Sequence, residues 1–289
     1  MRGETTDGLL LVDKPAGMTS HDVVLAARRA FDESRIGHAG TLDPFATGLL
    51  VLLLGRATRL LPYLDGVPKE YEASIVLGAE TDTDDLHGAV VRTAPPPTDD
   101  AIAAAIARLT GPLDQTPPSY SAKRVGGRRA YVAARAGVAL ELPPAPVEVF
   151  AWRDVSRDGD VLHATIECGA GTYVRALARD LGRLADSAAH LGALRRTRSG
   201  PFRVADAVSL DALRDGSAEL RPALDALPAL PRITLEEPDA ERILRGIAVP
   251  RLHDAPRAAL VDARSGMLLA LAEAAGDRWQ PRVVMRRID

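Results

Sequence analysis

Cysteine is nearly absent: Cys168 is the single one among 289 residues. No internal disulfide and no cysteine-rich metal framework can form, and a reducing cytoplasm is the expected location. Long apolar runs are also missing. The longest, Gly48 to Gly55 (GLLVLLLG), falls far short of the roughly 20 residues a helix needs to cross a bilayer. It reads instead as a buried strand or short helix, and no membrane association is expected. Met1 to Asp7 carry acids and no apolar stretch, so no export signal is expected. The six histidines are scattered, with no His-x-x-x-His and no Cys-x-x-Cys, which leaves a zinc site little support. Neither a Walker lysine loop nor a Gly-x-Gly-x-x-Gly opening a helix after a strand is found. Neither a metal nor a nucleotide cofactor is expected.

What the chain does have is ordinary globular composition, 46% apolar and 26% charged. Its length suits one large domain, or a large one plus a small one. The net charge of −3 argues against a general nucleic-acid binder. That average conceals an asymmetry: residues 1–118 sum to −7, residues 119–203 to +6 and residues 204–289 to −2. The basic third contains Lys123, Arg124, Arg128, Arg129 and Arg135, and then Arg195, Arg196, Arg198 and Arg203. Arginine suits bidentate phosphate contacts. A solvated surface would have the same composition, so charge alone permits a polyanion without requiring one.

Periodicity predicts a mixed α and β chain. Gly8 to Val12 reads as a buried strand, followed by a helix capped by Thr19 or Ser20 with Val23, Val24, Ala27 and Ala30 inward. Lys69 to Leu77 alternates as a strand with Tyr71, Ala73 and Ile75 on one face. Thr98 caps a helix over Asp99 to Leu109, and two strand-like runs between Val147 and Cys168 flank the turn Arg157-Asp158-Gly159-Asp160 as a hairpin. From Tyr173 to Leu184 an apolar stripe is accompanied by Arg175, Arg179 and Arg183 on another face. Beyond the prolines 222, 228 and 231, a short helix and three strand-like runs suggest a second, small domain.

Two segments could carry chemistry. Thr81-Asp82-Thr83-Asp84-Asp85-Leu86-His87-Gly88 spaces carboxylates like a metal loop, but Thr93 stands where an EF-hand needs a bidentate glutamate, so a solvated turn is the simpler reading. Arg35 to Gly48 (RIGHAGTLDPFATG) concentrates glycines, a histidine and one aspartate on a tight loop before an apolar run. Pro44 restricts the backbone of Asp43 to extended conformations and helps to aim its carboxylate. Physics alone leaves open a plain Asp-Pro turn.

This second segment resembles the nucleophile motif of pseudouridine synthases of the TruB type. Further matches run in family order: Val12 to Ser20 (VDKPAGMTS), Lys69-Glu70-Tyr71, Gly78 to Gly88, Pro117 to Lys123 (PPSYSAK), Gly171 to Arg175 (GTYVR) and Leu194-Arg195-Arg196. They cover about residues 8 to 200. The resemblance implies an α+β pseudouridine synthase fold: a central mixed, largely antiparallel sheet with flanking helices, and a small PUA-like C-terminal domain. Residues 1–230 would be catalytic, with an RNA-gripping insertion at about 123–146, and residues 231–289 PUA-like.

The implied activity is isomerisation of the T-loop uridine, position 55, of tRNA to pseudouridine on a flipped-out base. Asp43 would be the nucleophile; an aspartate's ordinary pKa of about 3.9 leaves it ionised at neutral pH. Arg175 would keep it ionised and oriented, and Tyr71 would stack on the uracil with its hydroxyl near C5. His38 would fill the space the base vacates, Tyr173 and Leu194 would wall the pocket, and Lys14 with Pro15 would support it. Lys123, Arg124, Arg128 and Arg129 would grip the RNA backbone. The implied partner is the tRNA T stem-loop, with no cofactor, no metal, no obligatory protein partner and no guide RNA, the enzyme acting as a monomer. A guide-dependent synthase with a related catalytic domain, or a tRNA-folding chaperone, are the competing readings.

Overall fold

The computed structural model describes residues 6–64, 66–120 and 142–285, with the backbone alone of 124–125 and 128–129. The chain packs as two units. One holds described residues 6–44, 49–64 and 204–285, the other 45–48 and those between 66 and 203.

The first unit opens with strand β1 (Gly8–Lys14), helix α1 (Ser20–Phe31) and strand β2 (Ile36–Ala39), followed by β3 (Thr47–Leu54), whose first two residues belong to the other unit. Thr19 caps α1 through a reciprocal box. Its hydroxyl accepts from the Asp22 N–H at 3.1 Å, and the Asp22 carboxylate accepts from the Thr19 N–H at 2.8 Å. Val23, Val24 and Ala27 then face Leu10 and Val12 of β1 and Leu50, Leu52 and Leu54 of β3 in one core. The apolar run is therefore a strand buried on both faces, which explains why it does not alternate. β2 lies antiparallel to β3, with His38 opposite Leu52.

The second unit is built from β4 (Lys69–Leu77), α2 (Asp99–Arg108), β5 (Gly111–Gln115), β6 (Ala145–Asp158), β7 (Val161–Cys168), α3 (Val174–Leu184) and β8 (Ala189–Ser199). The strands pair in the order β8, β4, β7, β6, β5, all antiparallel, and β8 pairs in parallel with Thr47 and Gly48. This is the mixed, largely antiparallel sheet expected. Tyr71, Ala73, Ile75 and Leu77 of β4 are buried while their neighbours are not, so period-2 alternation sets the register. The β6–β7 hairpin closes at Gly159 (φ 57°). Helix α3 packs over β8, and α2 against α3. Arg124 pairs with Arg129 and Val125 with Arg128 in a short antiparallel ladder.

Towards the C-terminus come β9 (Arg232–Leu235), α4 (Asp239–Leu244), β10 (Val249–Pro250), β11 (Arg257–Asp262), β12 (Leu268–Ala275) and β13 (Arg278–Val284). They form a separate five-stranded sheet in the order β9, β11, β12, β13, β10. Its core gathers Ile243, Val249, Leu260 and the fully buried Trp279. Arg59 donates to the Val284 carbonyl at 2.8 Å, and the Arg257 guanidinium lies 5.5 Å from the Tyr63 ring centre. Among the described residues no helix is long and apolar enough to cross a membrane.

Gly17 (φ 82°) and Gly48 (φ 98°) both take backbone conformations that L side chains rarely adopt, but for different reasons. A Cβ on Gly17 would meet nothing within 4 Å, whereas one on Gly48 would collide with the backbone of Arg196. Gly17→Ala should therefore cost only the conformational penalty, about 1–2 kcal/mol. Gly48→Ala should cost a further ~1–3 kcal/mol because two paired strands must part. Urea midpoints of the two variants test this, and equal midpoints would show that the β3–β8 approach is not tight.

Candidate active site

In the first unit the loop carrying Asp43 is fastened on both sides of it. Lys14 closes β1 and is fully buried. Its ammonium donates to the carbonyls of Pro15 (2.8 Å), Met18 (2.7 Å) and Pro44 (3.3 Å). Three acceptors are what a buried ammonium with three donors requires. The Gly17 N–H also donates to the Pro44 carbonyl, at 2.8 Å. On the other side, buried Ser20 accepts from the Leu42 N–H at 2.8 Å and donates to the Leu42 carbonyl at 3.1 Å. Leu42 itself is buried. The residues flanking Asp43 are thus pinned, and Asp43 itself is half-buried. His38 is half-buried on β2.

In the second unit Tyr71 sits on β4 between Ile166 of β7 and Arg196 of β8, with Leu194 opposite Ala73 on the same strand pair. Tyr71, Leu194 and Arg196 are all buried. Tyr173 precedes α3 and is clamped by one side chain: its N–H donates to Gln115 Oε1 at 2.8 Å, and Gln115 Nε2 donates to its carbonyl at 3.1 Å. Gln115 is buried at the end of β5 and was not singled out from the sequence; a lone glutamine carries no periodic or motif signal.

The arginines of α3 overturn one sequence reading. Arg175 and Arg179 are buried, and the 81–88 segment is not a solvated turn, because Asp84 and Asp85 are buried as well. Arg175 donates to the carbonyls of Thr83 and Tyr120, each at 3.0 Å, and its guanidinium lies 3.4 Å from the Asp85 carboxylate. Arg179 pairs with Asp84 at 2.8 Å, and Arg183 pairs with Glu80. Each buried charge is matched, which is the condition under which it is tolerated. Asp85 also accepts from Thr83 Oγ1 (2.7 Å) and the His87 N–H (3.0 Å), using its remaining lone pairs to close the turn. Burial pushes the Asp84 carboxyl up to about 6 against the pull of Arg179 and Arg175. Burial also acts on Glu80, but Arg183 and Arg92 outweigh it and hold that carboxyl below its ordinary value. Among the described residues no group of three His, Cys, Asp or Glu side chains could hold a metal ion.

The structure therefore places Lys14, His38 and Asp43 in the first unit and Tyr71, Tyr173, Arg175 and Leu194 in the second. Within the second it sets Tyr71 and Leu194 on adjacent strands beneath the helix that carries Arg175. Lys123 and the side chains of Arg124, Arg128 and Arg129 lie outside the described residues.

Two family models match consecutive stretches: TruB family pseudouridylate synthase (N terminal domain) over residues 28–174, and tRNA pseudouridylate synthase B C-terminal domain over residues 175–229. The tRNA pseudouridine synthase B of Gluconacetobacter diazotrophicus is 45% identical over 260 residues, covering 87% of this chain and 85% of that one. The tRNA pseudouridine synthase B of Nocardia farcinica is 44% identical over 301 residues, covering 99% and 95%. Among solved structures, an H/ACA RNP bound to a substrate RNA containing 2′-deoxyuridine shares the fold with a TM-score of 0.71 at 22% identity, covering 98% of this chain and 86% of that one. The archaeal box H/ACA sRNP Nop10-Cbf5 complex matches with a TM-score of 0.71 at 25% identity, covering 98% and 87%. This chain belongs to the TruB family of pseudouridylate synthases.

Proposed function

We propose that this protein isomerises the T-loop uridine at position 55 of tRNA to pseudouridine, with Asp43 as nucleophile and without a guide RNA or protein partner. The relatives' names give the reaction class, tRNA pseudouridine synthesis, which is an isomerisation. The observation that supports the assignment to Asp43 is its loop: both neighbours are held by buried side chains, and the aspartate between them is half-buried. A rigid loop that presents one carboxylate is pre-organised for attack, so little ordering remains for the transition state.

The reaction breaks the C1′–N1 glycosidic bond, turns the uracil and joins C1′ to C5. The C5 proton leaves and N1 gains one, so atoms balance without an oxidant or a cofactor. Before Asp43 can reach the nucleotide, the base leaves its stack at a cost of a few kcal/mol. Tyr71 stacks on the flipped uracil with its hydroxyl towards C5. Arg175 keeps the nucleophile ionised and oriented. His38 fills the space vacated by the base, Tyr173 and Leu194 wall the pocket, and Lys14 holds the nucleophile's loop. Lys123, Arg124, Arg128 and Arg129, within the insertion at about 123–146, contact RNA phosphates. Residues 1–230 act as the catalytic domain. Residues 231–289, whose sheet has its own core, act as a small PUA-like domain. The enzyme works in the cytoplasm as a monomer.

Incubating the protein, and separately its Asp43→Asn variant, with an unmodified tRNA transcript tests this reading; pseudouridine is then mapped by carbodiimide adduct and primer extension. A stop at the T-loop uridine with the unsubstituted protein alone is expected, with tRNA affinity retained in the variant. A stop with both proteins would remove Asp43 from the chemistry, and a stop with neither would favour a guide-dependent enzyme or a chaperone. Replacing Arg128 and Arg129 by Ala should weaken tRNA binding and reduce its salt slope by about one counterion for each phosphate no longer neutralised. An unchanged slope would place these arginines away from the RNA.

A further inference from the structure

The second unit contains a buried pair that the reading above does not use. Asp84 takes the left-handed backbone region (φ 58°), which few residues other than Gly, Asn and Asp enter. It is tied on both sides: its N–H donates to the Thr81 carbonyl at 3.2 Å, and its carbonyl accepts from the Leu191 N–H at 3.0 Å. Its carboxylate accepts from Arg179 at 2.8 Å, both side chains being under one-tenth exposed (9% and 8%). Arg179 also reaches the Thr116 carbonyl at 2.9 Å and Asp180 at 2.8 Å. One turn earlier on α3, Arg175 takes the carbonyl of Thr83, the residue before Asp84, and faces Asp85, the residue after it. Residues four apart on a helix are neighbours, about 5–6 Å between Cβ atoms. A loop fastened at Arg179 is therefore held at a fixed height opposite Arg175.

We propose that Asp84 and Arg179 are positioning residues for the reaction: their ion pair fastens the 81–85 loop to α3 and so holds the Arg175 guanidinium in its working orientation. The inference rests on the role given to Arg175 above. A buried ion pair is weak support for a fold, because desolvation can exceed the attraction. Asp84 shows this sign. Its carboxyl is raised to about 6, mainly by burial, so the folded state binds that proton more tightly than the unfolded chain does. The stability linked to the proton is present in acid and lost as pH rises through about 6. Near neutral pH the charged pair is thus kept at a cost in stability. The charged and titratable groups around Asp84 are Arg175 and Arg179 on α3, Glu80 and Asp85 in its own segment, and His190 on β8, whose Nδ1 lies 2.8 Å from the Ala79 carbonyl.

Single-turnover rates on an unmodified tRNA transcript, followed from about pH 5 to pH 8.5, test the proposal with Asp84→Asn, Arg179→Met, the double variant and His190→Gln. The unsubstituted enzyme should slow as pH falls through about 6. Asp84→Asn should slow the reaction about tenfold at about pH 8 and lose that acid limb while tRNA affinity stays level; its melting temperature should fall, because Arg179 stays buried without its carboxylate, whereas that of the double variant should stay level or rise. The double variant should be no slower than the slower single variant, since both remove one interaction. An Asp84→Asn enzyme with unchanged rate and profile would overturn the proposal. So would an acid limb that disappears with His190→Gln instead, or a double variant whose rate loss is matched by a fall in melting temperature, since removing both charges together leaves none uncompensated. An unsubstituted protein that makes no pseudouridine would overturn the proposed function itself, and this inference with it.

Discussion

Burying an ammonium is costly unless its donors are all taken, and Lys14 is completely buried. The rest of the first unit's site follows from how that cost is met. The three carbonyls that surround the amine belong to Pro15, Met18 and Pro44, so solvating one cation internally draws the turn after β1 and the end of the Asp43 loop to the same point. Removing the amine would untie the Pro15 and Met18 carbonyls from the Asp43 loop and leave the Pro44 carbonyl with the Gly17 N–H alone. Ser20 completes the arrangement from the first turn of α1, donating to and accepting from the same residue, Leu42. A helix start, a strand end and a loop are locked by polar contacts on either side of Asp43.

The second unit uses the opposite arrangement, a helix whose charged face points inward. Arg175 and Arg179 are buried because the 80–85 segment brings carboxylates and carbonyls to meet them, and Arg183 at the half-exposed end of the same row meets Glu80. With its charges matched, such a network fixes geometry that apolar packing would leave free to slide. The loop gives up a solvated turn, and Asp84 accepts a left-handed backbone, to make those contacts.

Much of this fold is legible in the sequence because it rests on local rules. The alternation of Tyr71, Ala73 and Ile75, the Thr19 cap, the Gly159 turn and the apolar run that becomes β3 each follow from spacing or backbone preference. The Asp43 loop is legible as a stiff presentation loop, and the family resemblance names its motif. What periodicity misses is partnership. A helical pattern that sets the arginines on a face of their own cannot see that Arg175 and Arg179 meet acids some ninety residues earlier in the chain. The same blindness makes Asp84 and Asp85 look like surface acids and hides Gln115, whose amide is matched to both backbone groups of Tyr173.

Partnership also decides which arginines are available to a polyanion. On the second unit's sheet, Arg153 and Arg198 face Glu70 and Glu167, so two cations are balanced by two anions on one row. In the C-terminal sheet Arg257 and Arg282 share Glu273. A guanidinium already neutralised by a carboxylate has little condensed-ion release to gain from a phosphate, so these residues contribute little to salt-dependent binding. Of the +6 excess in residues 119–203, the 121–141 stretch supplies +4, from five Lys or Arg against the single Glu141. A chain of net charge −3 can therefore still grip tRNA, provided its affinity is concentrated in that one basic segment rather than spread over the surface.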